Sequence, residues 1–200
     1  MCIRDRSMDV IQIILSLSLG LGLAAACGFR VFIPPLMMGV ASRFDLYQLE
    51  GSFTWVGETW AIAIFGIATI LEIGGYFIPW VDNLLDTVAT PAAILGGIFV
   101  TSASLEGEMD PSTQWMLSII AGGGISGTIQ LGTVATRAIS TGTTGGLANP
   151  LISLLEVVAS IICIILALFL VFLIPFVIIF LIWKAIEYIR KTRNEVTLLK

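Results

Sequence analysis

Twenty consecutive residues without a charge, Val10 to Phe29, constrain this chain more than any other feature. A helix of that length crosses roughly 30 Å of hydrocarbon. The stretch does not fit a cleavable leader. It is too long, no Lys or Arg follows Met8 within the approach to it, and apolar sequence continues past Arg30 to Ala41. Pro34 and Pro35 break or kink the helix there.

Composition extends the argument to the whole chain. Of 200 residues, 57% are hydrophobic and 12% charged. A soluble domain carries roughly twice that charged fraction. Lipid must therefore cover much of the surface. The net charge is −4, yet Lys184, Arg190, Lys191, Arg193 and Lys200 crowd one end. No basic face for nucleic acid exists, and the basic tail predicts a cytoplasmic C-terminus. Met1 to Ser7 are polar and precede a second Met. They are set aside as a non-native or disordered prefix, leaving one transmembrane domain over 8–183 and a basic tail over 184–200.

Along the chain, Arg43 to Glu58 is polar. Trp55 and Trp60 flank a second span that runs to about Phe77 and contains Glu72. Tyr76 and Trp80 form a further aromatic belt, and Pro79 ends that helix. Val81 to Val88 is amphipathic, with Asp82 and Asp86 on one helical face. Thr90-Pro91, Asp110-Pro111 and Asn149-Pro150 each pair a capping side chain with Pro at the first helical position. They predict the starts of the third, fourth and fifth spans. Gln114 lies near the place of a capping-box partner for Asp110. The third span, Pro91 to Leu105, is short enough to be re-entrant. The fourth runs from Trp115 to about Thr136 and holds Gly122, Gly123, Gly124 and Gly127, which permit close helix approach in lipid. The fifth stays apolar from Pro150 to Trp183, a long tilted helix kinked at Pro175. The fold class expected is an all-α polytopic membrane bundle of about five helices.

Charges at membrane depth are expensive and are functional candidates by default. The candidates are Arg30, Glu72, Asp82, Asp86, Arg137, Asn149 and Glu156. Glu72 is either a proton or cation ligand or an interfacial or packing carboxylate. Glu156 follows a helix start, where the dipole favours a carboxylate. Arg30 and Arg137 each follow an apolar span. They are either helix-end cations that snorkel or partners of Glu72 and Glu156 across helices. The loop Ser140 to Ala148 leads from Arg137 to a helix N-terminus at Asn149. It would suit an anion or lipid headgroup, or is an ordinary flexible loop. The order Arg then Glu occurs twice, as an inverted repeat would give, although the spacings differ.

Histidine is absent, and the three cysteines stand apart. No metal site, disulfide framework or nucleophile with an adjacent base is visible. The loop lacks a phosphate-binding Lys. No enzyme activity and no cofactor are expected.

Three stretches carry a resemblance: AAACGFRVFIPPL (Ala24 to Leu36), IPWVDNLLDTVATP (Ile78 to Pro91) and TRAIST…GLANPLISLLE (Thr136 to Glu156). Together they resemble the uncharacterised bacterial membrane family labelled domain of unknown function 4126, from Met8 to about Leu173. The resemblance implies a multi-pass membrane protein and supplies no activity, substrate or catalytic residue. The expected function is a small channel or transporter in the inner membrane, for ions or small anions, with the lipid bilayer and a homo-oligomer as partners. The alternative is a scaffold, lipid-binding or assembly factor whose charges fix helix register.

Overall fold

The computed structural model describes residues 3–76, 78–169 and 183–184, and among them it is helical with no strand. Helix α1 spans Ile3–Phe29, opening within the segment set aside above. After a short break, α2 runs Ile33–Arg43 with Pro34 and Pro35 in its first turn. A 3-10 helix at Gly51–Gly57 leads into α3, Thr59–Gly75. Helix α4 is Pro79–Leu105 and α5 is Pro111–Leu117. A π turn over Ser118–Gly123 joins α5 to α6, Gly124–Thr144. Helix α7 covers Asn149–Phe169.

Four stretches are long and apolar enough to cross a membrane: Val10–Phe29, Thr87–Leu105, Pro111–Thr144 and Asn149–Phe169. The 3-10 helix and α3, bent by 67°, form a fifth if counted as one span. The protein is thus a helical membrane protein of four to five spans.

Three expectations change. Thr90-Pro91 does not start a helix. Pro91 lies inside α4, which begins at Pro79. Proline removes one N–H from the ladder, but membrane helices tolerate this where neighbours hold the element. Here Ala89 and Ala93 are buried on either side of it. The amphipathic stretch and the third span are therefore one helix. The fourth span begins at Pro111 and continues past Thr136 to Thr144, so Ser140 to Thr144 are helical and only 145–148 form the turn. Gly145, at φ 64°, ends it in the left-handed conformation that glycine adopts without strain. The continuation of the last helix to Trp183, its Pro175 kink and the tail beyond Lys184 lie outside the described residues.

Asp110 does cap α5. Its Oδ2 accepts from Thr113 N–H at 2.9 Å and Ser112 Oγ at 2.7 Å. These bonds, the Thr113 amide first, pull its pKa down to about 2. Gln114 does not complete a capping box. Its Nε2 instead donates to Ser102 O at 2.8 Å and Glu106 Oε2 at 2.6 Å, tying α5 to the end of α4. Glu106 Oε1 accepts from Ser52 N–H at 3.0 Å, and these contacts hold its carboxyl below the ordinary range.

Antiparallel packing builds the bundle. Thr101 Oγ1 donates to Gly20 O (3.2 Å) between α4 and α1, and Ser160 Oγ donates to Ala26 O (3.1 Å) between α7 and α1. Ile98 of α4 lies against Gly123 of the π turn, and Ile94 against Gly127 of α6. Leu19, Leu23, Ala24, Cys27, Val100 and Ile164 share the core these helices enclose.

Candidate functional site

The α1–α2 break is the starting point. Helix α1 ends as Arg30 N–H donates to Ala26 O at 3.0 Å. The chain then turns toward α2, and in the break the amides of Val31 and of Phe32, the N-cap residue of α2, need an acceptor. Glu72, arriving from α3, fills that need. Its Oε1 accepts from Val31 N–H at 2.9 Å and its Oε2 from Phe32 N–H at 3.2 Å. A carboxylate at a helix N-terminus also gains from the helix dipole.

Arg30 is wholly buried. Its Nη2 lies 2.8 Å from Ser153 O, 2.6 Å from Ser153 Oγ and 3.0 Å from Glu156 Oε2, all on α7. The same carboxylate receives Arg137 from α6. Arg137 Nε donates to Glu156 Oε1 at 3.0 Å, and its Nη2 bonds Oε2. Two guanidinium groups thus converge on Glu156. The Tyr76 ring adds a cation–π contact to each, with its centroid 4.4 Å from Arg30 Cζ and 3.7 Å from Arg137 Cζ. Arg30 Nε and Nη1 are buried without a hydrogen-bond partner.

The pairing expected between Arg30 and Glu72 is replaced by this arrangement. Glu72 caps α2, and Arg30 turns to α7 instead. The two Arg–Glu sets are therefore not equivalent. Nor do the arginines snorkel. Arg137 lies two turns before the end of α6 and is buried, as is Arg30. Glu156 lies two turns inside α7, about 10 Å along the axis. The cluster is therefore at membrane depth. Asn149 is buried at the start of α7, and its Nδ2 donates to Thr141 Oγ1 at 3.2 Å. Asp82 and Asp86 fall in α4, but their side chains lie outside the described part.

Tyr76 and Ser153 were missed from sequence. Tyr76 fitted an aromatic belt, yet it is buried against both arginines. Ser153 precedes Glu156 by three residues, a spacing that puts both on one helical face. That spacing was the available signal.

Two cavities flank the cluster. One, of about 780 Å³, lies between α3 and α4, with Glu72 and Tyr76 in an otherwise apolar wall. The other, of about 510 Å³, lies between α6 and α7 and reaches Glu156, Thr133 and Thr136. Among the described residues, no group of three or more His, Cys, Asp or Glu side chains is arranged to hold a metal.

The family model described as Domain of unknown function (DUF4126) matches residues 17–191. No curated protein and no solved structure matches the chain.

Proposed function

The chain belongs to the DUF4126 family, and we propose that this member is a small channel or transporter for ions or small anions. One observation carries the reading: Arg30 and Arg137 share the Glu156 carboxylate at membrane depth, and Arg30 keeps two buried N–H groups without partners. An orphaned donor on a buried charge is costly. It is retained where a transient anion completes it. The broken helix beside it supports the same reading, because transporters place half-helix termini at their ion sites. A homo-oligomer in the inner membrane, with the basic tail cytoplasmic, is part of this proposal.

A second reading is favoured by one feature. Ser153, Glu156 and Tyr76 already hold much of Arg30, as a register-fixing network would. The protein would then be a scaffold, lipid-binding or assembly factor.

Flux through liposomes containing the purified protein separates the two. Under the transport reading the intact protein passes chloride, acetate or protons above the rate of empty liposomes. Arg30→Gln then lowers that flux on the order of tenfold, the equivalent of about 1.4 kcal/mol. A background rate for every ion tried, from folded protein, rejects transport.

A further inference from the structure

Helices α3 and α4 follow one another directly, yet they meet only near their joint. A Cβ added at Gly75 would lie 2.6 Å from Leu85 Cδ1 and 3.1 Å from Val81 Cγ1. Beyond that contact the two helices leave the cavity of about 780 Å³ between them. Its volume falls within the roughly 300–1,000 Å³ of small-molecule sites. Ala68 and Leu71 of α3, with Val88 and Ala92 of α4, give it apolar walls. Ile70, Leu71, Ile78 and Val88 are each more than half exposed, so the cavity opens toward lipid.

Among the described residues, Glu72 is the one charged side chain in this wall. It is 8% exposed. Each of its oxygens accepts one backbone N–H, from Val31 or Phe32, and a carboxylate oxygen has a second lone pair to offer. A buried charge is ordinarily paired. Among the described residues the ion pairs of the nearby arginines go to Glu156 instead. Arg30 does not line the cavity, because it turns to Ser153 and Glu156 on α7. The Tyr76 ring in the wall already carries both guanidinium groups, so recognition of charge falls to Glu72. The two helices that form the cavity add to its sign: α3 and α4 hold Glu72, Asp82 and Asp86 and no Lys or Arg.

We infer that the cavity between α3 and α4 binds an organic cation with an apolar body, taken laterally from the membrane, with Glu72 as its counter-charge. The apolar body replaces lipid between the two helices, and the positive centre lies beside the carboxylate. Glu72 keeps its bonds to the Val31 and Phe32 amides, so binding needs no proton transfer and no rearrangement of α2. An anion of the same shape is repelled. An uncharged molecule gains little, because lipid tails are as apolar as the cavity wall. Charge therefore sets the specificity. This site stands apart from ion movement at Glu156 and holds with or without it.

The test uses the full chain in phosphatidylcholine nanodiscs, with tritiated tetraphenylphosphonium as the probe. The intact protein shows saturable binding beyond that of empty nanodiscs. Tritiated tetraphenylborate, of the same shape and opposite charge, shows none in a separate assay. Glu72→Gln, which keeps an acceptor oxygen and removes the charge, weakens phosphonium binding on the order of tenfold or more. Ala68→Trp, in the wall one turn before Glu72, abolishes it. Ile67→Trp, at an exposed position outside the wall, leaves it unchanged. If Glu72→Gln does not fold, the borate comparison and the two tryptophan variants decide the matter. No saturable phosphonium binding, full binding by folded Glu72→Gln, or equal effects of the two tryptophans overturns the inference. Equal binding of both probe ions also overturns it and leaves a groove that lipid fills.

Discussion

Glu156→Gln destabilises the protein by about 3–5 kcal/mol, the range for breaking a buried ion pair from one side. The substitution keeps the side chain's shape and removes its charge. Arg30 and Arg137 then face each other around a neutral amide, with Tyr76 as a shared neighbour. Both are buried, and with Glu156 neutral the carboxylate charge they share is gone. The measurement is denaturant unfolding in detergent micelles. The double variant Glu156→Gln with Arg137→Gln recovers part of the loss, because it removes one of the two opposed charges. A loss below about 1 kcal/mol for Glu156→Gln, the scale of an exposed pair, would show that the shared carboxylate does not hold the fold together.

The second large effect concerns packing. Gly97→Val destabilises by about 3 kcal/mol, at the upper end of ordinary overpacking. A Cβ at Gly97 would lie 2.2 Å from Ser126 Oγ and 2.6 Å from Gly122 O. The hydroxyl can rotate, but the carbonyl belongs to the backbone. Helix α4 would have to separate from the π turn and α6. The control is Gly132→Ala, where nothing lies within 4 Å of the added carbon. There the change is neutral or stabilising by up to about 1 kcal/mol, from helix propensity alone. Equal effects at Gly97 and Gly132, in the same unfolding assay, would contradict the close α4–α6 contact.

Much of the fold was legible in sequence because hydrophobic run length reports directly on membrane crossing. Asp110-Pro111 and Asn149-Pro150 both fell at helix starts; Asp110 does so as an N-cap, whereas Asn149 is the first residue of α7 and its side-chain amide reaches back to Thr141. Thr90-Pro91 has the same local chemistry and failed. Pro91 itself is exposed, but Ala89 and Ala93 on either side of it are packed, so tertiary contacts of α4 outweigh the local signal. The turn after Arg137 was drawn too long because Gly, Ser and Thr resemble a loop in composition. In the protein, hydroxyls such as Thr143 and Thr144 bond back to carbonyls one turn earlier and stay helical.

The candidate site was legible as a set of residues and not as a set of partners. Cost at membrane depth singled out Arg30, Glu72, Arg137 and Glu156 one by one. Pairing depends on which helices meet, and sequence order gave Arg30 to Glu72. The break after α1 overrides that order. It leaves amides at Val31 and Phe32 that need an acceptor, and Glu72 is the carboxylate that α3 brings to them. Arg30 is then directed to α7, where Ser153 and Glu156 share a face.

The account turns on whether the cluster at Arg30, Arg137 and Glu156 takes part in ion movement, which requires water to reach it. The direct measurement is thiol labelling in native membranes after Cys2, Cys27 and Cys163 are replaced. A single cysteine at Ser153 keeps the size of a side chain that touches Arg30. A single cysteine at Ile165, on the exposed face of α7, reports the lipid side. The account predicts that a small water-soluble reagent labels position 153 and leaves 165 unlabelled. Folded protein unlabelled at 153 would contradict it and leave a sealed network that holds the helices in register.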